Sequence, residues 1–84
     1  MAYEILVTRQ ALKDIKLLSP KLKNKVKSIL TELISSNPYV GKPLVGDLKG
    51  NYSYRINIKD RLVYSIDEDN KKVYLKRART HYDD

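Results

Sequence analysis

The sequence has no cysteine, tryptophan or phenylalanine, one histidine, and only three glycines and three prolines in 84 residues. Without cysteine there is no disulfide scaffold, no thiolate zinc site and no cysteine nucleophile. That absence suits a reducing compartment, and the expected location is the cytoplasm. One histidine cannot build a multi-histidine metal site, and no acidic cluster has the spacing of a calcium loop, so neither metal nor other cofactor is expected. No Gly-x-x-x-x-Gly-Lys-Ser/Thr and no Gly-x-Gly-x-x-Gly occurs, which removes the common nucleotide-binding loops. No apolar run approaches the ~20 residues of a membrane span. Met1 to Val7 lacks a basic leader and carries Glu4, which argues against a signal peptide. Acid is also short: ten Asp and Glu stand against seventeen Lys and Arg, a net charge of +7.

What is present is one domain's worth of chain, residues 1–84, with 42% apolar residues. That supports a single core and is too ordered in its periodicity for a disordered basic tail. The positive excess favours a polyanionic partner such as nucleic acid. Ala2–Val7, with β-branched and aromatic content, reads as a strand. Thr8 stands where a helix cap belongs, ahead of Ala11, Leu12, Ile15 and Leu18 at helical spacing. Ser19-Pro20 starts a second helix, whose stripe is Leu22, Val26, Ile29, Leu30 and Leu33. The spacing predicts a helical hairpin over Arg9–Leu18 and Pro20–Ser36, ended by Asn37-Pro38. Tyr39–Asn51 holds the glycines and reads as a loop. Tyr52, Tyr54, Ile56 and Ile58 then alternate with polar residues as a strand. Arg61–Ile66 is a second strand and Lys72–Lys76 a third, joined by polar turns. The fold class is α+β in the order β-α-α-β-β-β, a small, mainly antiparallel sheet with two helices on one face.

The acidic run Asp67-Glu68-Asp69 reads as a solvated turn. The basic residues form two groups. Lys13, Lys16, Lys21, Lys23, Lys25 and Lys27 lie on the helices, where lysine is an ordinary exposed residue. Arg55, Arg61, Lys76, Arg77 and Arg79 lie on or beside the strands. Arg55 alternates with Tyr54 and Ile56, so it belongs to the sheet face opposite the helices. A guanidinium-bearing sheet face fits phosphate binding. At the end of the chain His81 can exchange a proton near neutral pH and Tyr82 can stack on a base. Histidine, tyrosine and arginines are the parts of a metal-free ribonuclease, in which a ribose 2′-OH attacks the adjacent phosphorus.

Several stretches together resemble one known family. They are Pro43-Leu44, Asp47-Leu48-Lys49-Gly50, Tyr52-Ser53-Tyr54-Arg55-Ile56-Asn57, Arg61-Leu62-Val63-Tyr64 and the final His81-Tyr82. The resemblance is to the Txe/YoeB branch of the RelE/ParE toxin superfamily, and it covers essentially the whole chain. It implies a toxin of a type II toxin-antitoxin system: an mRNA endoribonuclease acting in the ribosomal A site, with ribosomal RNA and message as partners, silenced by a small acidic antitoxin. Under it, Arg61 holds the scissile phosphate and Arg55 is a neighbouring basic strand residue. His81 is a general acid with Tyr82 beside it. Lys49, Lys76, Arg77 and Arg79 complete the expected RNA-binding set. The best-known members carry a glutamate, taken as the general base, where this sequence has Lys42. Lys42 either serves as a base with a depressed pKa or, as the exposed setting between Gly41 and Pro43 favours, clamps phosphate as a cation. RelE, which relies on lysines and arginines, resembles this case. Two other readings stay open: a ParE-like poison of DNA gyrase, by fold analogy, and a ribosome- or RNA-binding module without catalysis.

Overall fold

A computed structural model describes residues 2–46 and 50–78. Strand β1 (Glu4–Val7) leads into α1 (Arg9–Lys16) and α2 (Pro20–Ser28). A π-helical continuation, Ile29–Ile34, and a 3-10 turn, Pro38–Val40, follow, and then β2 (Lys42–Pro43), β3 (Asn51–Arg55), β4 (Arg61–Asp67) and β5 (Lys72–Arg77). The five strands form one sheet in the order β1-β5-β4-β3-β2. β1 runs parallel to β5, and the other pairs are antiparallel. The chain is α+β with two helices and a mixed, mainly antiparallel sheet, as expected from its sequence pattern.

The helices begin where the caps placed them. The Thr8 hydroxyl accepts from the Ala11 amide and the Ser19 hydroxyl from the Leu22 amide, each satisfying one orphan donor of the first turn. The predicted Pro20–Ser36 helix widens after Ser28. There the Ser35 amide bonds to the Leu30 carbonyl, five residues back. The hydroxyls of Thr31, Ser35 and Ser36 bond to carbonyls four residues back. Such back-bonding competes with the regular ladder and loosens it.

The core lies between the helices and one sheet face. Ala11, Val26, Leu30 and Ile34 meet Ile56, Leu62, Tyr64, Val73 and Leu75, all buried. Tyr52 and Tyr54 pack against the same cluster. The expected strand over residues 52–58 stops at Arg55. The Asn57 side chain accepts from the Lys59 and Asp60 amides and donates to the Asp60 carboxylate, and the Ile56 and Asn57 amides bond to the Asp60 carbonyl. This Asx-type turn bends the chain before alternation can continue. Ile56 stays in the core, whereas Ile58 is 90% exposed rather than a core residue.

One buried charge ties helix to sheet. Asp14 on α1, 2% exposed, accepts from Arg77 Nε at 2.8 Å and from the Ala78 amide at 3.1 Å. Burial pushes its carboxyl up, but the Arg77 guanidinium and the Ala78 amide outweigh burial and hold Asp14 below the ordinary carboxylate range. A depressed carboxylate stabilises the fold fully above the unfolded value and loses that contribution as pH falls through the native value. Thermal stability is therefore expected to drop as pH falls below about 4, and Asp14→Asn is expected to flatten part of that acid limb in a melting series. Asp14→Ala should cost about 2–4 kcal/mol near neutral pH, since it orphans the Ala78 amide and removes the guanidinium's partner; denaturant titration measures it.

Candidate functional site

The register of three strands builds the site. Arg55 on β3 stands directly opposite Arg61 on β4. One rung along the same face, Ser53 pairs with Val63 on one side and with Lys42 on the other. Because side chains alternate across a strand, Ser53, Arg55, Arg61 and Lys42 all lie on the face away from the helices, while Tyr52, Tyr54, Leu62 and Tyr64 turn into the core. Lys42, Ser53, Arg55 and Arg61 line a pocket of about 240 Å³. Among the described residues none of its three cations forms an ion pair. The floor residue, Ser53, is 8% exposed.

The sequence expectations fall into three groups. Lys42, Arg55 and Arg61, far apart along the chain, are brought together. Lys76 lies on β5, exposed, at a bulge where the β4–β5 register skips it. Arg77 is engaged at Nε and at one terminal nitrogen with Asp14, so part of its fork serves the junction of α1 and β5. Lys49, Arg79, His81 and Tyr82 lie outside the described residues. Ser53 was not anticipated as a site residue, although its two-residue spacing from Arg55 already put both on one face.

Lys42 was read as part of a loop and instead belongs to a two-residue edge strand. Proline is tolerated there because an edge needs no further donor. The segment that delivers it is fixed on several sides. Asn37 caps the 3-10 turn through the Tyr39 amide. The Tyr64 hydroxyl donates to the Pro38 carbonyl at 2.6 Å. Burial pushes the Tyr64 hydroxyl up to about 12, so it remains a donor. Tyr39, Tyr52 and Tyr64 form an aromatic run, edge-to-face and then stacked. Tyr39 and Tyr3 both donate to one oxygen of Glu68, whose other oxygen binds Lys71. Hydrogen bonds from Lys71, Tyr39 and Tyr3 hold Glu68 down to about 2, and the bond to Glu68 pushes Tyr39 up to about 12. Glu68, read from sequence as part of a solvated turn, thus ties Tyr3, just before β1, and the 3-10 turn to the β4–β5 hairpin.

A family profile described as ParE-like toxin of type II bacterial toxin-antitoxin systems matches residues 5–83. A comparison with curated proteins gave no match. Among solved structures, the chain is similar to the RelBE2 toxin-antitoxin complex of Mycobacterium tuberculosis, at 30% identity and a TM-score of 0.88 over 96% of this chain and 100% of that one. It is similar to the YoeB-YefM complex of Staphylococcus aureus at 28% identity and a TM-score of 0.79, over 98% of this chain and 100% of that one. A YafQ structure from Escherichia coli matches at 28% identity and a TM-score of 0.73, over 94% of this chain and 93% of that one. The chain belongs to the ParE-like toxins of type II toxin-antitoxin systems, within the RelE/ParE superfamily. Its fold is that of the RelE, YoeB and YafQ toxins.

A Cβ at Gly41 would lie 2.2 Å from the Tyr64 hydroxyl and 2.9 Å from the Ser53 carbonyl. Gly41→Ala is expected to push β2 off β3 and to cost about 1–3 kcal/mol, the usual penalty of overpacking. Tyr64→Phe removes the nearest obstructing atom, so the cost of Gly41→Ala should be smaller in that background, as a double-mutant cycle would show.

Proposed function

We propose that this toxin is a ribosome-dependent mRNA endoribonuclease, and the observation that carries the reading is the convergence of Lys42, Arg55 and Arg61 on one pocket. Three cations without acidic partners among the described residues suit an anion with more than one oxygen, and guanidinium forks match phosphate. In the reaction the ribose 2′-oxygen bonds to phosphorus and the bond from phosphorus to the 5′-oxygen breaks. Negative charge gathers on the non-bridging oxygens as the phosphorane forms. Arg61, with Arg55 and Lys42 beside it, neutralises that charge where it develops. By the family resemblance, His81 gives a proton to the leaving 5′-oxygen and Tyr82 stacks on a base. Lys42 is exposed on its edge strand and acts as a fixed cation rather than as the base; His81 or a ribosomal group takes the 2′ proton.

The pocket is small and open on the sheet face away from the helices, so it does little to align a message for in-line attack. Alignment supplies several kcal/mol in such reactions and here falls to the ribosome. The exposed lysines of α1 and α2 then serve as salt-sensitive contacts to ribosomal RNA. The solved complexes of the M. tuberculosis and S. aureus relatives pair toxin with antitoxin, and by that likeness this basic chain takes a small acidic antitoxin as its partner. No helix among the described residues is long and apolar enough to cross a membrane.

The test is cleavage of message on programmed ribosomes by purified protein, with free RNA left nearly intact. Arg61→Ala is expected to abolish growth arrest and cleavage, since one transition-state donor is worth about 3–4 kcal/mol, while the variant keeps its melting temperature. Lys42→Arg should retain most activity and Lys42→Ala should lose it, because the proposed role is charge. Efficient cutting of free RNA would remove the ribosome from the account. Growth arrest with intact message and broken DNA would replace it with gyrase poisoning.

A further inference from the structure

The pocket's fourth wall has a chemistry that the cations lack. Lysine and arginine side chains only donate hydrogen bonds, whereas a serine hydroxyl both donates and accepts. Ser53 is therefore the only one of the four lining side chains able to accept a hydrogen bond. It is more than nine-tenths buried, yet among the described residues its hydroxyl has no partner. The hydroxyl opens onto the pocket it lines, where an entering group can reach it. It lies on β3, between Lys42 on the edge strand β2 and Val63 on β4, one rung from Arg55 and Arg61. A strand position recessed beneath long cationic side chains and carrying an unpaired acceptor is built for a ligand that brings both an anion and a donor.

A ribonucleotide is such a ligand: its 2′-OH is a donor close to the 3′-phosphate. The pocket, at about 240 Å³, is smaller than the ~300 Å³ at the low end of small-molecule sites. It suits a phosphate with the edge of its sugar rather than a whole nucleotide. Resting on the phosphate-site reading given above, we infer that Ser53 is the sugar-discriminating residue: its Oγ accepts a hydrogen bond from the ribose 2′-OH while the three cations hold the adjacent phosphate. The contact orients the 2′-oxygen toward phosphorus and penalises deoxyribose, which leaves Ser53 unpaired. A 2′-OH is what separates RNA from DNA at a given site.

The experiment uses two small ligands that cannot be cleaved, adenosine 3′-monophosphate and 2′-deoxyadenosine 3′-monophosphate, titrated into the full chain by NMR. The wild type should bind the ribose form about three- to tenfold more tightly, the usual net worth of one hydrogen bond. Ser53→Ala, which is nearly isosteric, should bind both forms with the wild type's deoxy affinity. Ser53→Cys, of similar size but a weak acceptor, should behave alike and guards against a folding defect in the alanine variant. Discrimination that survives both substitutions would overturn the assignment of Ser53 and leave the phosphate site standing. Equal loss of both ligands in the variants would likewise overturn it, since Ser53 would then act on the phosphate or on the pocket's shape. Failure of the wild type to bind either ligand would overturn both the assignment and the phosphate-site reading.

Discussion

Placing Arg55 directly opposite Arg61 is the constraint on which the rest of the structure depends. Like charges facing each other across two strands destabilise a sheet, and here Lys42 adds a third from the neighbouring strand. The arrangement persists because the register is imposed from the other face. Leu62 and Tyr64 on β4 are fully buried, and Tyr52 and Tyr54 of β3 pack beside them. A slip of one residue would turn the guanidiniums into the core and the apolar side chains into water. Core burial thus holds the cations together against their repulsion, and an anion that enters the pocket relieves it. Among the described residues no carboxylate pairs with these cations.

Elements outside the pocket serve this placement. The Asn57 turn closes β3 and β4 so that Arg55 and Arg61 are the last and first residues of the two strands. Gly41 lets β2 approach the Tyr64 hydroxyl and the Ser53 carbonyl, which sets Lys42 against Ser53. Tyrosine does much of this anchoring. With no phenylalanine or tryptophan, the chain carries seven tyrosines, whose hydroxyls reach the Pro38 carbonyl and Glu68. Asp14 fixes the end of β5 to α1, immediately before the segment that carries Arg79, His81 and Tyr82.

Local chemistry was legible in the sequence and long-range pairing was not. Thr8 and Ser19 announced their helices because a cap is a contact across three residues. The alternation around Arg55 gave the face of the sheet on which it lies. The parallel union of β1 with β5 spans almost the whole chain and leaves no periodic mark. β2 was missed because two residues, one of them proline, cannot display alternation. β3 was drawn too long, since Ile56 and Ile58 kept the period while Asn57 had already turned the backbone. Arg77 counted as one basic strand residue among several because nothing local signals that Asp14, sixty-three residues earlier, reaches it. For the site, Lys42, Arg55 and Arg61 were named from charge and resemblance, but their meeting in one pocket needed the sheet order. Ser53 was passed over because an uncharged hydroxyl stands out only once it is seen to line the cationic pocket.

The central claim is that the cationic pocket stabilises attack by a ribose 2′-oxygen on the neighbouring phosphorus, and the ends of the cut message report that chemistry directly. Displacement of the 5′-oxygen by the 2′-oxygen leaves a 5′-hydroxyl on the downstream fragment and a 2′,3′-cyclic phosphate, or the 3′-phosphate formed from it, on the upstream one. Fragments produced on programmed ribosomes should accept a 5′ label from polynucleotide kinase without prior phosphatase treatment. Fragments bearing 5′-phosphate and 3′-hydroxyl ends would mean that water, not the ribose, is the nucleophile, and would contradict the account.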